Sequence, residues 1–147
     1  MNVYICFPEG KAKALTMSYD DGKIQDRRLI DIFNQYGIRG TFNLNYGQVG
    51  EYSHITLEEM KGLYDGHEIA THTMTHPDIE RCPMVEVAEE LLGDRKGLEK
   101  WTERIIRGHA YPYGSYNEEI KQLYRQLGMA YARAAQTVPD FALPSDP

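Results

Sequence analysis

The stretch Gly66-His67-Glu68-Ile69-Ala70-Thr71-His72-Thr73-Met74-Thr75-His76-Pro77 holds three of the chain's five histidines, and two of them, His72 and His76, stand four positions apart. On a helical turn this spacing places two side chains about 5–6 Å apart at Cβ, within reach of one metal ion. Pro77 would end the local structure and fix where the second imidazole points. Two imidazoles alone do not make a site, and the pattern also suits loop histidines with no shared task. A second stretch adds carboxylates. In Thr16-Met17-Ser18-Tyr19-Asp20-Asp21-Gly22 an apolar, strand-like run from Ala14 ends in two adjacent acids and a glycine. Adjacent side chains at a strand end point in different directions, so one carboxylate can face a metal while its neighbour faces the water on it. Asp-Asp-Gly is equally ordinary turn chemistry. A third stretch, Ala110-Tyr111-Pro112-Tyr113-Gly114, closes another apolar run with a rigid turn able to present a backbone N–H to a ligand.

Together the three stretches resemble the signature of the polysaccharide deacetylases, the NodB-homology family of carbohydrate esterases. Its motifs read T-F-D-D-G, H-[ST]-x-[ST]-H and R-P-P-Y-G. Here they stand as Ser18-Tyr19-Asp20-Asp21-Gly22, His72-Thr73-Met74-Thr75-His76 and Ala110-Tyr111-Pro112-Tyr113-Gly114, and the resemblance runs from Lys13 to Arg133. It implies a distorted (β/α) barrel and a metal-dependent hydrolase that removes N-acetyl groups from a sugar or oligosaccharide. Asp21, His72 and His76 would be the metal ligands, a set that leaves positions open for water and substrate. Zinc is the first expectation from the N/O donors, with cobalt, nickel or iron compatible. Asp20 would be the general base, and the Tyr113 backbone N–H would stabilise the oxyanion. Tyr111, Pro112 and Arg133 are expected against the substrate.

Two departures from the family pattern stand out. The motif arginine that orients the base is replaced by Ala110, leaving Arg107 or Arg133 as substitutes; Arg133, on a strand face with Tyr131, is the better placed. No histidine follows His109, so the late histidine that serves the family as general acid is missing. His109 itself is a weak candidate for that task. His67 is expected to be structural and His54 to have no role.

The elements that must position these residues alternate along the chain. Asn2–Phe7 and Leu15–Tyr19 read as strands around the Pro8-Glu9-Gly10 turn, suggesting an opening hairpin. Leu29, Ile32, Phe33 and Tyr36 recur at helical spacing before the Gly37 cap. Gly40–Asn45 reads as a strand, and Thr56-Leu57-Glu58-Glu59 as the capping box of a helix through Tyr64. His67–Thr71 is a strand. A helix follows from Pro83 as a first-turn residue, with Val87, Leu91 and Leu98 on one face and Trp101 packing near its end. Ile105–Tyr111 is a strand, Asn117 caps a helix bearing Ile120, Leu123, Tyr124 and Leu127, and Met129–Ala134 is a fifth strand. Strand–helix alternation favours a parallel sheet, with all three motifs at strand carboxyl ends.

At 147 residues with 41% hydrophobic content, the chain reads as one domain over 1–147, short of the roughly 200–250 residues of a full barrel. The barrel is therefore expected to be incomplete at its C-terminus, with an open edge at Met129–Ala134 prone to self-association and with poor turnover. The sequence would then continue naturally beyond Pro147 or be an inactive remnant that binds metal or carbohydrate. Another small amide is the alternative substrate. A net charge of −6 argues against nucleic acid or an anionic membrane. No span or signal peptide is evident, which reads as cytoplasmic, and Cys6 and Cys82 read as buried thiols.

Overall fold

The computed structural model describes residues 7–136. Five strands, β1 (Ser18–Asp20), β2 (Thr41–Leu44), β3 (Glu68–Thr71), β4 (Gly108–Ala110) and β5 (Tyr131–Arg133), form one sheet in sequence order. Every neighbouring pair is parallel. The connections carry α1 (Asp26–Tyr36), α2 (Leu57–Leu63), α3 (Met84–Thr102) and α4 (Glu118–Gln126). Among the described residues this is half of a distorted (β/α) barrel.

The side-chain period of two divides each strand. Tyr19, Phe42, Leu44 and Ile69 point towards the helices and pack with Ile30, Phe33, Met60 and Leu98. The alternate residues Ser18, Asp20 and Asn43 are polar and bonded to one another: Asn43 Nδ2 donates to Ser18 Oγ at 2.9 Å and to Asp20 Oδ1 at 2.8 Å. Arg133 Nη2 on β5 also donates to Asp20 Oδ1 on β1. In a flat sheet these edge strands would stand roughly 19 Å apart, four spacings of about 4.8 Å, beyond the reach of an arginine. The sheet must curl, with its polar face inward.

Most elements form where sequence pattern places them, and their ends have local causes. Thr56 and Glu59 make a reciprocal capping box at α2, and Asn117 accepts the Ile120 N–H at α4. Gly37 caps α1 in the left-handed region. Two expectations change, and a third, the opening hairpin, rests on Asn2–Cys6, which lie outside the described residues; among the described residues Phe7 bridges Lys11 around the Pro8–Gly10 turn and β1 pairs with β2. Pro83 is the N-cap of α3 and not a first-turn residue. On α1, Ile32 and Tyr36 are exposed while Asp26, Ile30 and Phe33 are buried. The buried stripe begins with an acid, which an apolar pattern does not show.

Cys82 is a half-buried free thiol, and Cys6 lies outside the described residues. Trp101 packs against the core, its Nε1–H donating to Tyr46 Oη at 2.9 Å. No helix among the described residues is long and apolar enough to cross a membrane.

Asp26 makes a pH prediction. Burial raises its carboxyl to about 6, against the opposing effect of the hydrogen bond from Tyr64 Oη at 2.8 Å. The folded chain then holds a proton that the unfolded chain has released, so Asp26's contribution is complete below pH 4 and is lost as pH rises towards 6. Urea midpoints should fall over that window, by on the order of 2 kcal/mol in stability. Asp26→Asn, which keeps the acceptor for Tyr64, should flatten the slope; an unchanged slope assigns it to another group.

Candidate metal centre

All three motifs lie at strand carboxyl ends. Asp21 follows β1, the His72–His76 loop follows β3, and the Pro112–Gly114 turn follows β4. The side chains of Asp21, His72 and His76 converge: each offers a ligand atom, and these atoms lie within 4.8 Å of one another. Asp21 Oδ1 stands 3.7 Å from Nε2 of each histidine. Such a cluster of one carboxylate and two imidazoles fits a divalent ion drawn in among them.

The route by which the histidines meet is not helical. Residues 72–76 form an irregular loop, with Thr73 and His76 at φ of 65° and 62°. Two left-handed residues turn the chain back on itself and bring the rings to 4.7 Å, one edge against the other. Asp21 and Tyr113 also have positive φ, at 77° and 58°. Each such residue costs on the order of 1–3 kcal/mol, which the surrounding packing must offset.

His72 is nearly inaccessible, and its Nδ1 lies 2.7 Å from Ala110 O. A carbonyl can only accept, so Nδ1 carries the hydrogen and Nε2 presents its lone pair to the cluster. Burial lowers the His72 pKa, outweighing the bond to Ala110 that would raise it, and the neutral ring is the ligand form.

Asp20 lies beside the triad and is held by different partners. Burial would raise its carboxyl, but the hydrogen bond and the charge of Arg133 and the amide of Asn43 together leave it below its ordinary value. It is therefore an ionised carboxylate at neutral pH. Arg107, the other substitute arginine, instead donates to Gly128 O at 2.7 Å, away from this group.

The remaining candidates divide. The Tyr113 ring is 71% exposed and meets His76 edge-on at 4.7 Å, at the mouth of the site. Tyr111 and Pro112 are buried. The Tyr111 ring stacks on Tyr116 and Tyr124 in the core between α3 and α4, so its expected place against a substrate is corrected to packing. His109 is also excluded as a proton donor. It is fully buried among Tyr111 and Tyr124, its Nδ1 is 2.7 Å from Thr71 Oγ1, and burial holds it well below an ordinary imidazole. His67 accepts the Gly40 N–H at 3.1 Å and supports the other end of β3. His54, given no role from sequence, lies 2.8 Å from Lys23 Nζ, which is 3.9 Å from Asp21 Oδ2. Asp94 and Asn45, which hold the His72 backbone, carried no signal in the sequence because both read as ordinary polar residues.

The family description that matches the chain is polysaccharide deacetylase, over residues 8–132. A chitooligosaccharide deacetylase of Bradyrhizobium sp. (strain ANU 289) is 26% identical over 136 residues, 90% of this chain and 60% of the relative. The structure of the Streptococcus pyogenes deacetylase PplD in complex with acetate superimposes with a TM-score of 0.77 at 26% identity, over 83% of this chain and 55% of that one. A CE4 family pseudoenzyme from Bacillus anthracis superimposes with a TM-score of 0.72 at 22% identity, over 82% and 43%. The chain thus spans about three fifths of the curated relative's length.

Removing a donor from the cluster should be visible in metal content. Asp21→Ala and His72→Ala should each take up far less Zn2+ per chain than the wild type after dialysis, with an unchanged far-UV circular dichroism spectrum. Full zinc occupancy in both variants would show that the ion, if any, sits elsewhere.

Proposed function

As the chain belongs to the polysaccharide deacetylase family, we propose that it is a metal-dependent hydrolase removing N-acetyl groups from a sugar or oligosaccharide. The observation that carries this reading is the ionised Asp20, held by Arg133 and Asn43 immediately beside the Asp21, His72 and His76 donors. A carboxylate next to a three-donor set is what hydrolysis of an unactivated amide requires.

Asp21, His72 and His76 would hold the ion, zinc by first preference and cobalt, nickel or iron by compatibility of donors. When bound, a divalent ion supplies Lewis acidity and lowers the pKa of water towards ~7. Asp20 accepts the proton of the attacking water. Arg133 keeps its carboxylate ionised and oriented, replacing from β5 the arginine that the third motif lacks. The Tyr113 backbone N–H, in a turn held at positive φ, donates to the amide oxygen as negative charge develops on it. The exposed Tyr113 ring offers a face to the sugar.

A second reading is favoured by one observation. Among the described residues the histidines outside the donor set are His54 on Lys23, His67 on Gly40 and the buried His109, and none is placed to protonate a departing amine. On that reading the chain binds metal or carbohydrate without turnover. Acetate release from N-acetylglucosamine oligomers separates the two, and a panel of other small amides separates sugar specificity from general amidase activity.

Where acetate is released, Asp20→Asn should keep the bound metal and lose about 10²–10⁴-fold in turnover. A loss below tenfold assigns the proton to another group. Arg133→Ala removes an influence that lowers the Asp20 carboxyl, so the acid limb of the kcat/KM profile should move to higher pH. A limb that stays in place or moves lower would mean that Arg133 does not tune the base.

A further inference from the structure

Helix α3 carries a fully buried carboxyl that the proposed reaction does not use. Asp94 is 0% exposed, and both of its oxygens engage backbone N–H groups. Oδ1 accepts from Tyr46 N at 2.6 Å and Oδ2 from His72 N at 3.0 Å. The His72 N–H is shared with Leu44 O at 2.9 Å. From the opposite side, Asn45 Nδ2 donates to the carbonyls of His72 and Thr73, the second at 2.8 Å. Both polar groups of the His72 backbone are therefore held by buried side chains.

The same helix anchors the rest of this assembly. Gly97, three residues on, lets the Tyr46 ring lie against α3; a Cβ there would fall 2.2 Å from the ring. Trp101, a further turn along, donates to Tyr46 Oη. One turn earlier, Glu90 accepts the Thr75 N–H at 2.8 Å and the Thr75 hydroxyl at 2.7 Å, while its carbonyl accepts the Met74 N–H at 3.1 Å. A single face of α3 thus reaches both the residues after β2 and the loop bearing the two histidines. A carboxyl burying two acceptors is a costly way to achieve stability alone, since apolar packing avoids the desolvation. It is suited to fixing position, because both groups it must hold are donors.

We infer that Asp94, with Asn45 opposite it, is a positioning residue for the metal centre, clamping the His72 backbone so that Nε2 stays aimed at Asp21 and His76. The inference rests on the metal reading above. An amide in place of the carboxylate offers one acceptor and one donor, so Asp94→Asn leaves Tyr46 N or His72 N facing an N–H. The His72 ring, tied at Nδ1 to Ala110 O, would then tilt its lone pair off the common point.

The test is titration of the full chain with Co2+, followed by visible absorption and calorimetry. Asp94→Asn is compared with Leu98→Ala, a buried truncation one turn along the same helix, and with Asn45→Ala, which removes the clamp from the carbonyl side and serves if Asp94→Asn does not fold. Folded Asp94→Asn and Asn45→Ala should bind Co2+ about 10–100-fold more weakly than wild type and shift its ligand-field bands. Leu98→Ala, despite a lower Tm, should keep both the affinity and the bands. A folded clamp variant with wild-type affinity and bands overturns the inference, as does Leu98→Ala weakening Co2+ to the same degree. A wild-type chain that takes up no Co2+ overturns the metal reading and this inference together, whereas a wild type that binds alongside clamp variants that bind equally overturns the inference alone.

Discussion

The curl of the sheet is the constraint on which the site depends. Asp20 and Arg133 come from strands at opposite ends of the order β1 to β5, yet their side chains are hydrogen-bonded. Both are about a third exposed, so the pair contributes modestly to stability. Its larger consequence is geometric. Only a curled sheet brings the β5 guanidinium over the β1 carboxylate, and the same curvature carries the residues after β1, β3 and β4 towards one point. The apolar side chains on the convex face, Phe42, Leu44 and Ile69, sustain that curvature by packing into the helices.

At the carboxyl ends of the strands the backbone is held in conformations it would not choose. Asp21, Thr73, His76 and Tyr113 all have positive φ without being glycine. Such conformations need external support, and around Asp21, Thr73 and His76 side-chain hydrogen bonds supply it. Asn43 serves the β1 end, Asp94 and Asn45 serve His72, Thr73 Oγ1 accepts the His76 N–H, and Glu90 holds Thr75. The strain and its supports coincide with the cluster of donors, a pattern expected where groups must be held before a ligand arrives.

Environment divides the five histidines more sharply than chemistry does. His72 and His76 share a carboxylate, His67 ties strand β3 to Gly40 and Asn34, His54 meets Lys23, and His109 is buried against two tyrosine rings. His109 is one residue from the Ala110 carbonyl that orients His72, yet the alternation of the strand turns its ring to the helix side. Closeness in sequence to a motif did not make it part of the site.

Much of the fold was legible because it depends on short-range rules. The capping box at Thr56, the Asn117 cap, the Gly37 terminus and the strand–helix alternation are local effects, and together they specify a parallel sheet with the motifs at its carboxyl ends. The residue types at positions 20, 21, 72 and 76 likewise announce their chemistry, since carboxylates and imidazoles at strand ends have few other uses in combination. What only the tertiary structure decided are the relations across the fold. Arg133 was separable from Arg107 only weakly by strand parity, and the curl of the sheet places one on Asp20 and the other on Gly128. Tyr111 looks identical in sequence whether it faces a substrate or the core, and packing against α4 buries it. The Asp26–Tyr64 pair and the Asp94 clamp left no pattern to read, because each joins a polar residue to a partner more than twenty positions away. Such pairings are set by which surfaces the helices present to one another, and that is a property of the assembled layers, not of any stretch of chain.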